Sequence, residues 1–179
     1  DRYSEPLTLE GIAAKSTPFV NPEVVGILNT QDSGELPTRG TRINGSLGWS
    51  ARDRSFPYLR TDFDHFQPLR DTVSVFALGN VASGFGRNLT FYDQFTAGGL
   101  TQMDAYRYQE LHGNSVLTAG GGLVYRGLNL KNTAFRPFLA SWYEVARLDL
   151  SEQGWQTRQS TSVGMFAPTP LGVTGLILS

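Results

Sequence analysis

The stretch Thr41-Arg42-Ile43-Asn44-Gly45-Ser46-Leu47-Gly48-Trp49-Ser50-Ala51-Arg52 changes character at almost every residue. One set of alternate positions is small or apolar, namely Ile43, Gly45, Leu47, Trp49 and Ala51, while the other set is mostly polar. Successive side chains of a strand point to opposite faces of a sheet, so the pattern predicts a strand with one apolar and one polar face. A tilted strand needs about 9 to 11 residues to cross a membrane. The stretch is long enough, and it predicts a membrane-spanning strand with lipid on one side and water on the other.

Seven further segments show a similar period of two. They are 22–32, 56–69, 72–83, 114–126, 135–148, 159–169 and one that starts at Leu171, with a weaker ninth at 7–14. Most of them exceed the roughly five or six residues usual for strands of soluble proteins. Twenty glycines, nine prolines and an aromatic fraction of 12% also fit many strands joined by turns. The sequence therefore predicts an all-β fold, an antiparallel transmembrane β-barrel.

The composition excludes several classes of protein. Fifteen basic and 16 acidic residues nearly balance, so no field that attracts nucleic acid is expected. Cysteine is absent, which leaves no disulfide framework and no thiolate metal site. No stretch reaches the roughly 18 to 20 apolar residues of a membrane helix. A soluble β-barrel binding module remains an alternative, although its outside would be rich in lysine and this chain has only Lys15 and Lys131.

The alternation fails over residues 84–113. This segment contains Phe91-Tyr92-Asp93-Gln94-Phe95-Thr96-Ala97-Gly98-Gly99. Loops of this length are uncommon unless they have a function. We therefore expect one long functional loop between two of the strands.

Three stretches, taken in order, resemble one known superfamily. They are Asn29-Thr30-Gln31-Asp32 followed by Pro37-Thr38-Arg39-Gly40, then 91–106 with Gly98-Gly99 at its centre, then Pro168-Thr169-Pro170-Leu171-Gly172. Together they resemble the bacterial surface antigen superfamily of outer-membrane barrels, which includes the barrel-assembly insertase, two-partner-secretion transporters and patatin-fused proteins. The resemblance implies a strand-turn element at Thr30, Asp32, Pro37 and Gly40 and a long loop that folds back into the barrel lumen.

The same resemblance implies roles for individual loop residues. The lumen-loop residues would be Phe91, Phe95, Gly98, Gly99, Asp104, Tyr106 and Arg107. In insertases and secretion transporters this loop carries Val-Arg-Gly-Phe or Val-Arg-Gly-Tyr, and its arginine docks against an acidic residue of a neighbouring strand. Met103-Asp104-Ala105-Tyr106 stands there in this chain.

The acidic docking residue is implied by a second match. Trp142-Tyr143-Glu144-Val145-Ala146 resembles the strand segment that holds it, which makes Glu144 the loop-docking residue. An unpaired carboxylate in a partly dry lumen is costly, so Arg107 or Arg126 is expected to pair with it.

The missing loop arginine makes the chain look closest to the patatin-fused branch. This implies an alternative function, the membrane part of a patatin-like lipid hydrolase whose catalytic domain lies upstream. Barrels of this superfamily have about twice as many strands as are found here, and an open sheet edge is not tolerated in lipid. Residues 1–179 are therefore expected to form a single, incomplete domain, the C-terminal half of a larger barrel.

No catalytic site or metal site is expected in this segment. The string Gly48-Trp49-Ser50-Ala51-Arg52 lacks the last glycine of a nucleophile elbow and lies within a strand. Alternation places His65 on the face opposite Asp62 and Asp64, so these three residues cannot share a metal. A serine near His65, as in a membrane phospholipase, stays a minor alternative.

Aromatic and charged residues of the strands have expected places as well. Trp49, Phe63, Tyr125 and Trp142 are expected in the interfacial girdles, and Arg60, Asp62 and Asp64 in a charge ladder that faces the lumen.

These observations lead to one functional expectation. The chain is expected to lie in the bacterial outer membrane and to anchor, assemble or translocate an attached or partner protein. Its expected partners are outer-membrane lipids and either an attached N-terminal domain or another barrel chain. We expect no cofactor, no nucleic acid and no enzymatic activity of this segment.

Overall fold

A computed structural model describes residues 21–33, 37–51, 55–99, 102–128, 137–150, 153–169 and 172–179. These residues form ten strands, which are β1 (Glu23–Asn29), β2 (Gly40–Ser50), β3 (Phe56–Arg70), β4 (Val73–Ser83), β5 (Phe95–Ala97), β6 (Leu111–Gly113), β7 (Ser115–Tyr125), β8 (Phe138–Leu150), β9 (Gly154–Thr169) and β10 (Gly172–Leu178). The weak segment expected at 7–14 lies outside the described residues. Within the described part of the chain, no helix is long and apolar enough to cross a membrane.

Eight of the strands form one antiparallel sheet in the order β1-β2-β3-β4-β7-β8-β9-β10. The two short strands β5 and β6 pair with each other in the long connection between β4 and β7. Within the described residues the large sheet is open, with β1 and β10 at its edges. The predicted all-β antiparallel class is confirmed, and each of the eight predicted segments overlaps one strand of the sheet.

Direct register partners form rows across the sheet. One row consists of Arg42, Asp64, Leu78, Gly120, Glu144 and Ser160. We call the face that carries this row and its alternate neighbours the loop face, because the long connection packs on it. The opposite face, called the outer face, exposes mainly apolar side chains, among them Leu47, Phe63, Leu117, Leu123, Tyr143, Val163 and Met165. This division fits a wall between lipid and lumen.

The main hydrophobic core lies between the long connection and the loop face. Phe95, Ala97 and Met103 of the connection pack in one buried cluster with Val116 of β7 and Leu148 of β8. The connection is therefore a packed part of the fold and not a solvent-exposed excursion. A second buried cluster, formed by Val124, Phe138, Ala140 and Trp142, lies on the loop face nearer the opposite end of β7 and β8.

The expected place of Trp142 in an outer girdle is wrong. Trp142 is only 7% exposed and lies on the loop face, whereas its neighbour Tyr143 is 45% exposed on the outer face. β8 carries an aromatic residue on each of its two faces, so the aromatic residues alone do not show which face is buried. Trp142 lies on the same face as Glu144 and Ala146, and this face is the buried one. Trp49, Phe63 and Tyr125 lie exposed on the outer face.

Candidate functional site at the tip of the long loop

The two ends of the long connection, residues 84–114, meet at the buried residue Asn114. The Asn114 backbone N–H donates to the Asp149 carbonyl at 2.9 Å, and the Asn114 carbonyl accepts from the Gly84 N–H at 3.1 Å. The Asn114 Oδ1 accepts from the Leu89 N–H at 2.9 Å. Both ends of the loop are thereby fixed to each other and to β8.

The β5–β6 ribbon carries the chain from this base across the loop face. Phe95 is buried, with the Arg60 guanidinium 5.3 Å from its ring centre, and Phe91 stacks on His112 with 4.8 Å between ring centres. Phe91 and Phe95 thus contribute to the base of the loop, not to its tip. Arg60 reaches the loop from β3, as expected for a residue that faces the lumen.

Gly98 and Gly99 turn the chain at the end of the ribbon. Their φ angles are +121° and +101°, a region that side chains disfavour. The Gly99 N–H donates to the Tyr106 carbonyl at 3.1 Å, and the Gln109 N–H donates to the Gly98 carbonyl at 3.3 Å. The two glycines therefore close the loop on the segment that contains Tyr106 and Arg107.

The loop tip, residues 102–104, binds one carboxylate of β8. The Met103 and Asp104 N–H groups donate to the Glu144 Oε2 at 3.0 and 3.3 Å. The Ser160 hydroxyl donates to the same oxygen at 3.3 Å. Met103 has a φ of +69°, and a residue in this conformation can direct successive N–H groups toward one anion.

Burial around this contact is nearly complete. Met103 is 0% exposed and Glu144 is 2% exposed. Such a carboxylate needs hydrogen-bond partners, and the tip supplies them from its backbone. The arrangement can hold a loop in place, and it offers no nucleophile or general base to a substrate.

A second contact at the tip has the opposite polarity. The Trp142 indole Nε1–H donates to the Asp104 Oδ2 at 2.5 Å. Glu144 and Trp142 are two residues apart on β8 and so share the loop face. Each side of the interface therefore contributes one carboxylate, and each carboxylate meets a donor of the other side.

The expected arginine partner of Glu144 is wrong, because the donors to Glu144 among the described residues are Met103, Asp104 and Ser160. Arg126 donates to the Pro37 carbonyl at 2.7 Å and to the Ser74 hydroxyl at 2.9 Å. Arg126 follows the end of β7, whereas Glu144 is the register partner of Gly120, which lies about six residues earlier on that strand. At 3.3 Å per residue, the backbones of Arg126 and Gly120 are roughly 20 Å apart. An arginine side chain does not span that distance. Arg107 contributes its backbone N–H to Glu110 within the loop, at 2.6 Å.

The strand-turn element lies at the end of the sheet where Arg126 is found. Asp32 accepts hydrogen bonds from the Thr38 N–H at 2.8 Å, from the Thr38 hydroxyl and from the Arg39 N–H at 3.3 Å. The Thr38 hydroxyl is the main reason why the pKa of Asp32 is lowered to about 2. Thr30 pairs with Thr41 through backbone and hydroxyl.

Proline and glycine complete this turn. Pro37 is buried beneath the Arg126 guanidinium. Gly40 has a φ of +106°, and a Cβ there would lie 2.7 Å from the Gln31 Cα. Thr30, Asp32, Pro37 and Gly40 therefore form one local structure, and it lies far from the loop tip. The connection of β9 to β10 occurs where the Pro168–Gly172 turn was expected, although residues 170 and 171 lie outside the described part.

The polar residues of β2 and β3 divide between the two faces as alternation predicts. The Arg42 Nε donates to the Asp64 carboxylate at 2.6 Å, and the Asn80 amide donates to Asp62 at 2.7 Å. His65 shares a 2.8 Å hydrogen bond with the Thr41 hydroxyl on the outer face. In the described ranges, no three His, Asp or Glu side chains could hold a metal together.

A polar cavity of about 240 Å³ separates the tip from β2 and β3. Its lining includes Arg42, Asp62, Asp64, Gln102 and Glu144. The tip is thus bound on the side of β7 to β9, with space on its other side.

The roles of two residues at the tip, Ser160 and Met103, cannot be predicted from the sequence. Ser160 is an ordinary strand serine, and nothing in Met103 signals a left-handed conformation. Gly120-Gly121-Gly122, in contrast, is visible as an unusual run inside a strand, and such glycines mark places where another part of the chain approaches closely.

Comparison with known protein families matches residues 27–166 to the Omp85 superfamily domain. The match starts in β1 and ends in β9. It includes the long connection, the loop tip and Glu144, and it covers most of the chain.

Proposed function

The chain belongs to the Omp85 superfamily, and from this membership we propose that it holds an attached or partner protein at the bacterial outer membrane, with residues 84–114 fixed in the lumen as a plug. Members of this superfamily are outer-membrane β-barrels with roles in assembly or secretion. The apolar outer face of this sheet and the polar residues of β2 and β3 on its loop face support that setting.

Docking of the loop tip is the observation that carries the proposal. Release of the tip would break the two hydrogen bonds from Met103 and Asp104 to Glu144 and the one from Trp142 to Asp104, and it would expose Met103. Each lost bond to a buried group costs about 1 to 3 kcal/mol. A loop held this firmly acts as a fixed wall of the lumen, so anchoring is favoured over a role that needs the lumen to open.

A covalent lock tests anchoring against translocation. Cysteines that replace Asp104 and Trp142 in the whole protein would be joined by a short bis-maleimide in a Gram-negative host. We expect the locked protein to stay in the outer-membrane fraction after a carbonate wash. We also expect it to hold its attached protein at the membrane to the same extent as the unlocked protein. Loss of that presentation only in the locked form would show that the loop must move, and it would overturn the plug. The two single-cysteine variants are the controls.

We also propose that further strands close the sheet, since the edges formed by β1 and β10 would otherwise leave backbone groups unpaired in lipid. External proteolysis of membranes that contain the whole protein tests this. A protected fragment larger than this chain is expected, and one that is no larger would contradict closure by added strands.

A patatin-like lipid hydrolase domain is the second candidate for the attached protein. Asp104 supports it, because the tip carries this acid where the insertases and secretion transporters carry arginine, a difference that the resemblance associates with the patatin-fused branch. Phospholipase assays on the whole protein test the candidate. Activity that is absent from the whole protein would exclude it and leave the anchoring proposal intact.

A further inference from the structure

Two glycines of β7 face the residues that hold the loop tip. In the register of β7 and β8, Gly120 is the direct partner of Glu144 and Gly122 is the direct partner of Trp142. Both glycines therefore lie on the loop face, beneath the two side chains that bind the tip.

Neither glycine has room for a side chain. A Cβ on Gly120 would lie 2.8 Å from the Glu144 Cγ and 3.0 Å from the Tyr143 carbonyl oxygen. A Cβ on Gly122 would lie 2.1 Å from the Ser141 carbonyl oxygen and 2.6 Å from the Trp142 Cβ. Gly120 thus leaves space for the Glu144 side chain, and Gly122 lets the β8 backbone at Trp142 approach β7 closely.

Two other strand glycines have room for a side chain. A Cβ on Gly79 of β4 or on Gly45 of β2 would meet nothing closer than 3.7 Å. These two positions lie on the outer face and can accept alanine. Crowding alone does not single out Gly120 and Gly122, because a Cβ on Gly48 would lie 2.5 Å from the Tyr58 Cζ and a Cβ on Gly164 would lie 2.6 Å from the Phe166 Cε2. What sets Gly120 and Gly122 apart is that their direct register partners are the two residues that bind the tip.

We infer that Gly120, Gly122 and Trp142 are positioning residues, which together with Glu144 form a seat for the loop tip that selects a hydrogen-bond acceptor at position 104. Gly120 leaves room for the Glu144 side chain and Gly122 for the strand backbone at Trp142, and in this arrangement both side chains reach residues 103 and 104. The indole N–H can only donate, so it distinguishes a residue 104 that accepts from one that only donates. This inference rests on the proposed plug and names what holds it.

Alanine at the seat is the first test. Gly120→Ala and Gly122→Ala, made in the whole protein, are compared with Gly79→Ala and Gly45→Ala. The readouts are the cleavage rate of residues 102–107 by an added protease and the heat-dependent gel shift of a folded barrel. We expect cleavage at least roughly tenfold faster for the seat variants, with the folded band retained, and rates within about twofold of wild type for the controls. Equal rates in all four variants would overturn the seat.

Substitutions at position 104 keep the inference testable if a glycine variant does not fold. Asp104→Asn keeps an acceptor oxygen, and we expect cleavage within about threefold of wild type. Asp104→Leu removes the acceptor and Asp104→Arg presents only donors, so both should be cleaved roughly tenfold faster. Trp142→Phe should match Asp104→Leu, and the double variant should be no worse than either single one. An Asp104→Arg variant that is cleaved more slowly than wild type, or additive effects in the double variant, would contradict the indole contact.

The outcomes separate this inference from the proposed plug. Rapid cleavage of the wild-type loop in the native membrane would show that the tip is not docked, and the plug itself would fail. Slow cleavage of wild type, together with no effect of the seat variants, would leave the plug in place and exclude the seat.

Discussion

Replacement of Glu144 by alanine should release the loop tip while the sheet stays folded. The change removes the acceptor of two backbone N–H groups and of the Ser160 hydroxyl, all of which meet at Oε2. Glu144→Gln is the matched control, because its amide oxygen can take the place of Oε2 without a change in volume. The prediction is therefore that alanine loosens the tip and glutamine leaves it nearly unchanged.

The size of the effect follows from the two hydrogen bonds that the loop tip donates to Glu144. The bond from Met103 is 3.0 Å long and counts fully, whereas the bond of 3.3 Å from Asp104 is weaker. The Ser160 hydroxyl belongs to the sheet and does not enter this difference. With about 1 to 3 kcal/mol for each buried group that loses its partner, the docked state loses roughly 2 to 4 kcal/mol. At about 1.4 kcal/mol per factor of ten, the open population rises roughly 30-fold to 1000-fold.

Hydrogen exchange and limited proteolysis measure this population directly. When opening and closing are faster than cleavage, the cleavage rate follows the open fraction. The Met103 and Asp104 amides should exchange faster by the same factor in Glu144→Ala, with the amides of β8 unchanged. Exchange and cleavage that match wild type would refute the account of docking, and so would an equal increase in Glu144→Gln.

Three further predictions concern other parts of the chain. The pKa of Asp32 is about 2, against an ordinary value of 3.8. The hydrogen bonds of its carboxylate therefore stabilise the turn between β1 and β2 above about pH 4, and this stabilisation is lost as the pH falls toward 2. Pepsin cleavage of the turn should rise over that range, and this rise should be mostly absent in Asp32→Asn. Arg126→Lys cannot reach both the Pro37 carbonyl and the Ser74 hydroxyl, and a loss of about 1 to 2 kcal/mol should appear as faster amide exchange at residues 37–40, while Arg107→Lys should have no effect there. Ile43→Arg places a charge on the outer face and should destabilise the folded, membrane-inserted state by about 2 to 4 kcal/mol, whereas Asn44→Arg on the loop face should change its stability little. Equal effects of these two substitutions would contradict the assignment of the faces.

The strands could be predicted from the sequence because the two faces of this sheet meet different environments. Every one of the eight long segments with period two overlaps a strand of the sheet. The start of β9 is the main difference, since the strand begins at Gly154 and the alternation starts only at residue 159. Gln156, Thr157 and Arg158 are polar on both faces, so this end of the strand carries no alternation to detect.

The direction of alternation was harder to predict than its presence. In β2 the apolar and polar sets differ clearly, and the faces follow from the composition. In β8 Phe138 and Trp142 share one face while Leu139 and Tyr143 share the other, so both faces look apolar. Trp142 was misplaced for this reason. The face of Trp142 is the buried one because the loop tip packs against it.

The partner of Glu144 shows what a sequence cannot contain. Side chains that complement a carboxylate can be read from the sequence, which therefore indicates an arginine, yet the backbone supplies the donors here. Any residue has an N–H group, and its direction depends on φ angles such as the +69° of Met103, for which methionine gives no signal. The glycines opposite Glu144 and Trp142 are the part of this contact that the sequence does reveal. They mark the place where β8 approaches β7 closely and where its side chains bind the loop tip. A run of glycines inside this predicted barrel strand therefore indicates where the folded-back loop is held without a salt bridge.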